Sequence, residues 1–241
     1  MNPQMFREYD IRGIAGKDMT AADAALIGRG VGTFLRRHDA RSITVGRDCR
    51  LTSEAYSQKL IEGLLATGCD VTDIGVCPTP VFYFSIQQLK KDGGVMLTAS
   101  HNPPEYNGFK LCLGLDSIHG EDIKAILALI EHENFTEGRG RLSSAAMIPT
   151  YIDYVVNNIS LPRPLRVGVD AGNGTAGVVA VPIMKRLGCE VHDIYCEMDG
   201  HFPNHEADPT VAENMQDLIA LVQKEGLDLG IGFDGDGDRL G

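Results

Sequence analysis

The segment "DGDGDR", Asp234 to Arg239, follows the apolar run "LDLGIGF" and alternates three carboxylates with two glycines. Gly235 and Gly237 have access to positive φ, so a short loop can turn Asp234, Asp236 and Asp238 toward one point. Three converging carboxylates repel one another unless a cation neutralises them, and hard oxygen donors of high charge suit Mg²⁺. An EF-hand fits poorly: the sixth position is Arg239 rather than glycine, the preceding segment reads as a strand, and the chain ends before a twelfth position is reached. An acidic solvated turn is the plain alternative.

A second segment, "TASHNPPEYNGFK" from Thr98 to Lys110, follows the apolar run "GGVML" and presents Ser100 beside His101. Alone, Ser100 reads equally well as a helix cap or a loop hydrogen bond. Paired with the aspartate loop, it reads as a phosphoryl carrier. A phosphorylated Ser100 contributes an oxygen to a metal on the aspartates, Arg239 and Lys110 offset the negative field, and the metal draws charge from the transferring group. His101 and Lys110 are the acid/base candidates, Lys110 serving as general base if desolvation lowers its pKa. Pro103, Pro104 and Asn107-Gly108 hold the loop rigid, which matters because phosphoryl transfer is mostly positioning and electrostatics.

Both loops need strands to deliver them. "SITVG" from Ser42, "DVTDIGV" from Asp70, "GGVML" from Gly93 and "GFKLCL" from Gly108 read as strands. The spacing predicts a helix from Thr20 to His38, with Thr20 and Asp23 as a capping pair, and another from Ser53 to Thr67 that stops at Gly68 as a left-handed cap. Strands alternating with such helices predict a largely parallel, layered α/β sheet. The pattern then repeats: "ITVGRD", a helix and "TGCDVTDIG" are answered by "LRVGVD", a helix and "LGCEVHDIY". Two related α/β domains, 1–145 and 146–241, follow from this, joined near "RLSSAAMIPT". The serine loop and the aspartate loop each leave the carboxyl end of an equivalent strand, where open α/β sheets bind ligands, so the two face each other across one cleft.

Composition narrows the partners. A formal net charge of −11 lacks the basic footprint that nucleic acid or an anionic membrane surface requires. With 43% hydrophobic residues the chain can bury one large core or two modest ones. The opening "MNPQMFREYDIRG" has no signal-peptide pattern and no segment approaches a membrane span, so a soluble cytoplasmic protein is expected. Six scattered cysteines without a C-x-x-C pair read as reduced core thiols. "DAGNGTAG" reads as a structural connection rather than a phosphate cradle, and "DGHFPNHEADPT" as a solvated loop lacking a third zinc ligand. In "VGRDCR", Arg47 and Arg50 either reach the cleft or pair with Asp48 and Glu54; "GVCPTP" offers no derivable chemistry.

Taken together, "TASHNPPEYNGFK", "DGDGDR", "FREYDIRG" and "VDAGNGTAG" resemble the α-D-phosphohexomutase superfamily, most closely its bacterial phosphomannomutase/phosphoglucomutase branch, over the whole chain. The resemblance implies an α/β fold of two related three-layer α/β/α domains with mixed, mainly parallel sheets. It implies a phosphoserine at Ser100, Mg²⁺ on Asp234, Asp236 and Asp238, Arg239 beside the phosphoryl group, and Tyr9 and Arg12 near the active site. It also implies a phosphosugar substrate: hexose 1-phosphate and 6-phosphate interconvert through a glucose or mannose 1,6-bisphosphate. Family members carry four domains, whereas this chain stops three residues after Asp238. The second domain is therefore expected to be truncated, with little mutase turnover from 241 residues alone. Two rivals stand beside this reading. One is a haloacid-dehalogenase-type phosphotransferase with Asp234 as nucleophile, although Asp238 stands where that motif usually has Thr or Val. The other is a non-catalytic metal- and phosphate-binding module.

Overall fold

The computed structural model describes residues 1–241. Both bonds of the expected capping box form at the start of α1 (Ala21–Arg37): Thr20 Oγ1 accepts from Asp23 N, and Asp23 Oδ2 accepts from Thr20 N at 2.9 Å. Helix α2 (Ser53–Ala66) runs out at Thr67, and Gly68 turns the chain away at φ +83°.

Strands β2 (Ser42–Arg47), β3 (Asp70–Val76) and β4 (Gly93–Leu97) form the parallel centre of the first sheet. β5 (Tyr106–Leu113) returns antiparallel to β4. β1 (Ile11–Ile14), hidden in "FREYDIRG", adds antiparallel to β5 at one edge, and β7 (Leu142–Ser144) adds parallel to β3 at the other. A two-residue β6 (Asp116–Ser117) pairs with β5.

Strand β4 reads in both directions. Val95 and Leu97 point into a core of 26 buried residues under α1, α2 and α4 (Glu121–Glu131), while Met96 points into a second core under α3 (Thr79–Gln88). That alternation is the period-two signature of a strand covered on both faces, which is why every residue of β4 is buried.

The second sheet holds β8 (Arg166–Asp170), β9 (Glu190–Ile194) and β10 (Leu229–Gly232), all parallel. Its order, β10-β8-β9, reproduces β4-β2-β3 of the first sheet, so the sequence repeat is also a repeat of topology. Helix α6 (Gly177–Arg186) follows β8, and α7 (Gln216–Glu225) precedes β10. Helix α5 (Ile148–Asn158) packs between α3 and α6, and one apolar cluster there joins Val81, Phe82 and Ile86 to Ile152, Val179 and Ile183. By contrast, only Val167, Val169, Ala180 and Cys189 form a buried cluster private to the second sheet. All six cysteines are free thiols, four of them buried. No helix is long and apolar enough to cross a membrane.

Candidate active site

Strand β4 delivers Ser100. After Leu97 the chain turns sharply: Thr98 Oγ1 accepts from Ser100 N at 2.8 Å, and Ser100 adopts φ +53°. A non-glycine residue in that left-handed region costs about 1–2 kcal/mol, so neighbouring contacts must hold it there. The turn aims Ser100 Oγ away from its own domain, to donate to Asp234 Oδ2 at 2.6 Å; His101 Nδ1 lies 3.3 Å away.

Strand β10 delivers the aspartates. Asp234 Oδ1 accepts from Asp238 N (3.0 Å) and Arg239 N (3.1 Å), which wraps the loop around this carboxylate, with Gly237 at φ +73° completing the turn. A Cβ on Gly235 would meet Ser100 O at 2.6 Å, so only glycine lets the two loops approach this closely. The three carboxylates place one oxygen each within 4.8 Å of the others. Asp236 Oδ2 accepts from Thr79 Oγ1 and Lys110 Nζ, both at 2.6 Å, and Lys110 Nζ also reaches Asp238 Oδ2 at 2.5 Å. Asp236 Oδ1 is buried with no hydrogen-bond partner. Arg239 Nε stands 3.9 Å from Asp234 Oδ2 and 4.0 Å from Asp238 Oδ1.

Burial, reinforced by the Asp236 charge, pushes the Asp234 carboxyl up to about 7, against the lowering effect of the Ser100 hydroxyl. Burial also works against ionised Asp236, but Lys110 and Thr79 outweigh it and hold that carboxyl low. The same pair decides Lys110: burial lowers its pKa, yet Asp236 and Asp238 raise it further, and the net shift is upward. The condition under which Lys110 would act as a base is therefore not met in this arrangement; it is the counter-cation of the carboxylates. His101 moves the other way, lowered first by burial and then by Arg239, so its ring is neutral at pH 7.

Arg12 and Tyr9 approach from β1 and the turn before it. Arg12 Nη1 donates to Asn102 Oδ1 at 2.7 Å, bracing the serine loop, and its other end pairs with Asp10. Tyr9 is 72% exposed and stands at the rim of a cavity of about 470 Å³ that it lines with Arg12, Tyr83, Lys110, Asp238 and Arg239. Every residue of the expected site is thus brought to this one seam between the carboxyl ends of the two sheets.

The chain matches the profile of the phosphoglucomutase/phosphomannomutase α/β/α domain I over residues 3–137 and that of domain II over residues 149–241. It belongs to the phosphoglucomutase/phosphomannomutase family. A phosphomannomutase/phosphoglucomutase of Pseudomonas aeruginosa is 45% identical over 237 residues, which are 98% of this chain and 51% of that protein. A phosphoglucomutase of Neisseria gonorrhoeae is 41% identical over 239 residues, 98% of this chain and 52% of that one. A crystal structure of a phosphoglucomutase/phosphomannomutase family protein from Burkholderia thailandensis superimposes with a TM-score of 0.96 at 41% identity, covering all of this chain and 55% of that one. The chain spans about half the length of the curated relatives it matches.

In this member of the phosphoglucomutase/phosphomannomutase family, three segments carry more than their sequence revealed. "GVCPTP" supplies Thr79, whose N–H and hydroxyl both bond Asp236; its only sequence signal was a threonine opening a helix just after a strand. "DAGNGTAG" braces the aspartate loop: Thr175 N donates to Gly235 O at 3.0 Å. "DGHFPNHEADPT" is a loop, as expected, with His201, Pro203, Asn204, Glu206 and Thr210 exposed, but parts of it are packed. Gly200 lies against the backbone from Cys49 to Leu51, and His205 Nε2 pairs with buried Asp170 Oδ2 at 3.0 Å.

The bond to Asp170 raises the His205 pKa above its ordinary value, against a smaller lowering by burial. The folded state therefore favours the protonated ring. That stabilisation is complete below the unfolded value near 6.5 and is lost as pH rises through the raised folded value. His205→Gln is accordingly expected to lower the urea midpoint more at pH 6 than at pH 8.5; an equal loss at both would show that the contact is not ionic.

Proposed function

We propose that this chain holds the phosphoserine and metal part of a hexose-phosphate mutase active site, with Ser100 taking and returning the phosphoryl group. The observation that carries the reading is the meeting of Ser100 Oγ with Asp234 Oδ2 at 2.6 Å, inside a three-carboxylate cluster with an unpartnered buried oxygen. Such a donor set fits a hard divalent cation: all ligands are carboxylate oxygens, and Asp236 Oδ1 lacks any other partner. Asp234, Asp236 and Asp238 would hold Mg²⁺, which when bound supplies charge stabilisation to the transferring phosphoryl group.

The protein's own groups do the rest. A phosphoryl group leaves a hexose 1,6-bisphosphate: the Ser100 Oγ–P bond forms, the sugar O–P bond breaks, and the serine proton ends on the sugar oxygen. Ser100 directs its hydroxyl proton at Asp234 Oδ2, and His101 Nδ1 lies 3.3 Å from the same hydroxyl. Lys110 and Arg239 bring positive charge to the cluster, and Arg12 and Tyr9 face the cavity where a phosphosugar would sit. Interconversion of hexose 1- and 6-phosphates, of glucose or mannose, is the reading for the whole protein. For the residues of this chain the proposal covers the serine half-reaction. A cytoplasmic setting belongs to the same reading.

The dehalogenase-type rival is disfavoured because both oxygens of Asp234 already accept hydrogen bonds, Oδ2 from Ser100 itself and Oδ1 from the amides of Asp238 and Arg239. Mass spectrometry after incubation with Mg²⁺ and glucose 1,6-bisphosphate tests the proposal. An acid-stable phosphoryl group on Ser100 supports it; an acid-labile one on Asp234, or none on either, overturns it.

A further inference from the structure

Arg50 is 3% exposed and faces away from the cleft, behind the serine loop. Its guanidinium spends all five N–H donors. Nη1 donates to Pro103 O (2.7 Å) and Tyr106 O (3.0 Å), Nη2 to Ser100 O (2.9 Å) and Asn102 O (2.7 Å), and Nε to Asp48 Oδ2 (3.1 Å). Four carbonyls of one short loop thus converge on one cation. Asp48 is itself buried, and its other oxygen accepts from Arg50 N (3.0 Å) and Ser53 Oγ (2.5 Å). Phe202, from the second domain, covers the open face with its ring centroid 5.1 Å from Cζ.

This arrangement exceeds what a buried ion pair needs. A charge pair would be satisfied by Asp48 alone, yet the fork is spread over the loop that carries Ser100. Pulling the Ser100 carbonyl backward fixes the orientation of the following peptide. With φ held at +53°, the side chain is then directed forward, toward the aspartates. No lysine can reproduce it, since an ammonium has three donors and no planar fork.

We propose that Arg50 is a positioning residue for phosphoryl transfer, gathering the backbone carbonyls of residues 100 to 106 so that Ser100 Oγ is held at the aspartate cluster. The inference rests on Ser100 being the phosphoryl acceptor.

The test compares wild type, Arg50→Lys and Ser53→Ala in single-turnover phosphorylation by glucose 1,6-bisphosphate with Mg²⁺, alongside amide hydrogen exchange. In Arg50→Lys the rate at saturating bisphosphate is expected to fall about 100-fold, the effect of misplacing a reacting atom by around an ångström. The half-saturating concentration should stay within about twofold, since Arg50 touches no substrate. Exchange should quicken at Ser100 and Asn102 while amides of β8 keep their protection. Ser53→Ala, which removes one hydrogen bond from Asp48 and keeps the fork, should slow transfer by about tenfold at most and guards against failure of the lysine variant to fold. A variant that is phosphorylated at the wild-type rate but to a lower extent would make Arg50 merely structural and overturn the proposal. Unchanged exchange of the loop would overturn it too. A wild-type chain that takes no phosphate would instead remove the phosphoserine reading, while the exchange rates still decide whether Arg50 holds the loop.

Discussion

Ser100→Ala is expected to abolish phosphate incorporation from glucose 1,6-bisphosphate altogether, not merely to slow it. Transfer needs an oxygen at the end of a turn that no other side chain shares. His101 points a ring nitrogen there rather than an oxygen, and the Asp234 oxygen that the substitution frees, Oδ2, is a carboxylate whose phosphate would be acid-labile, while Oδ1 stays bonded to Asp238 N and Arg239 N. Loss of phosphate in an alanine variant could also follow from a collapsed loop, so Ser100→Gly is the informative companion. Residue 100 sits at φ +53°, where glycine is at ease and other residues are not. The glycine variant loses the same hydrogen bond to Asp234 as the alanine variant but relieves about 1–2 kcal/mol of backbone strain, so it should unfold at a higher temperature than Ser100→Ala while remaining free of phosphate. Thermal unfolding and intact-mass measurement on the same samples read both quantities. Acid-stable phosphate in either variant would place the acceptor elsewhere and remove Ser100 from the chemistry.

Asp236→Asn should weaken divalent-cation binding by about 100-fold or more, because ligand charge sets the affinity of all-oxygen sites. The geometry makes the amide worse than a neutral acceptor. Thr79 and Lys110 both donate to Oδ2, so the asparagine oxygen must face them, which swings its NH₂ into the position of the unpartnered Oδ1. A donor then occupies the place a cation needs. Binding should also depend on pH in the wild type. Asp234 is raised to about 7, so a cation must displace its proton at lower pH, and affinity should fall as pH drops below that value. Titration calorimetry with Mg²⁺ or Mn²⁺ between pH 6 and 8 measures both effects. Equal affinity in wild type and Asp236→Asn would mean that the cluster is not the cation site.

The layered fold was legible because its signals are local. The cap at Thr20, the left-handed glycine at Gly68, the alternation along "GGVML" and the echo of "ITVGRD" in "LRVGVD" are each decided within a few residues, and the two sheets reproduce them. Ser100 and the aspartates were legible for a related reason: glycine spacing and abrupt strand ends mark loops that do something. What escaped depends on contacts far apart in sequence. Thr79 reaches Asp236, and Arg50 reaches the carbonyls of residues 100 to 106. No spacing rule announces a threonine that closes on a carboxylate in another domain, or an arginine that turns inward. The Lys110 shift escaped likewise, because its sign is a balance between burial and two carboxylates that only the folded arrangement brings within reach.

The apolar cluster shared by α3, α5 and α6 constrains how the chain acquires its shape on the ribosome. The first domain emerges first and has 26 buried core residues of its own, enough to fold before the rest is made. The second sheet's private cluster has four, and α6 buries Val179 and Ile183 against side chains that the first domain has already set in place. The later half is thus templated by the earlier one. The aspartate loop, which follows the serine loop in the chain, is assembled against a partner that is already waiting for it.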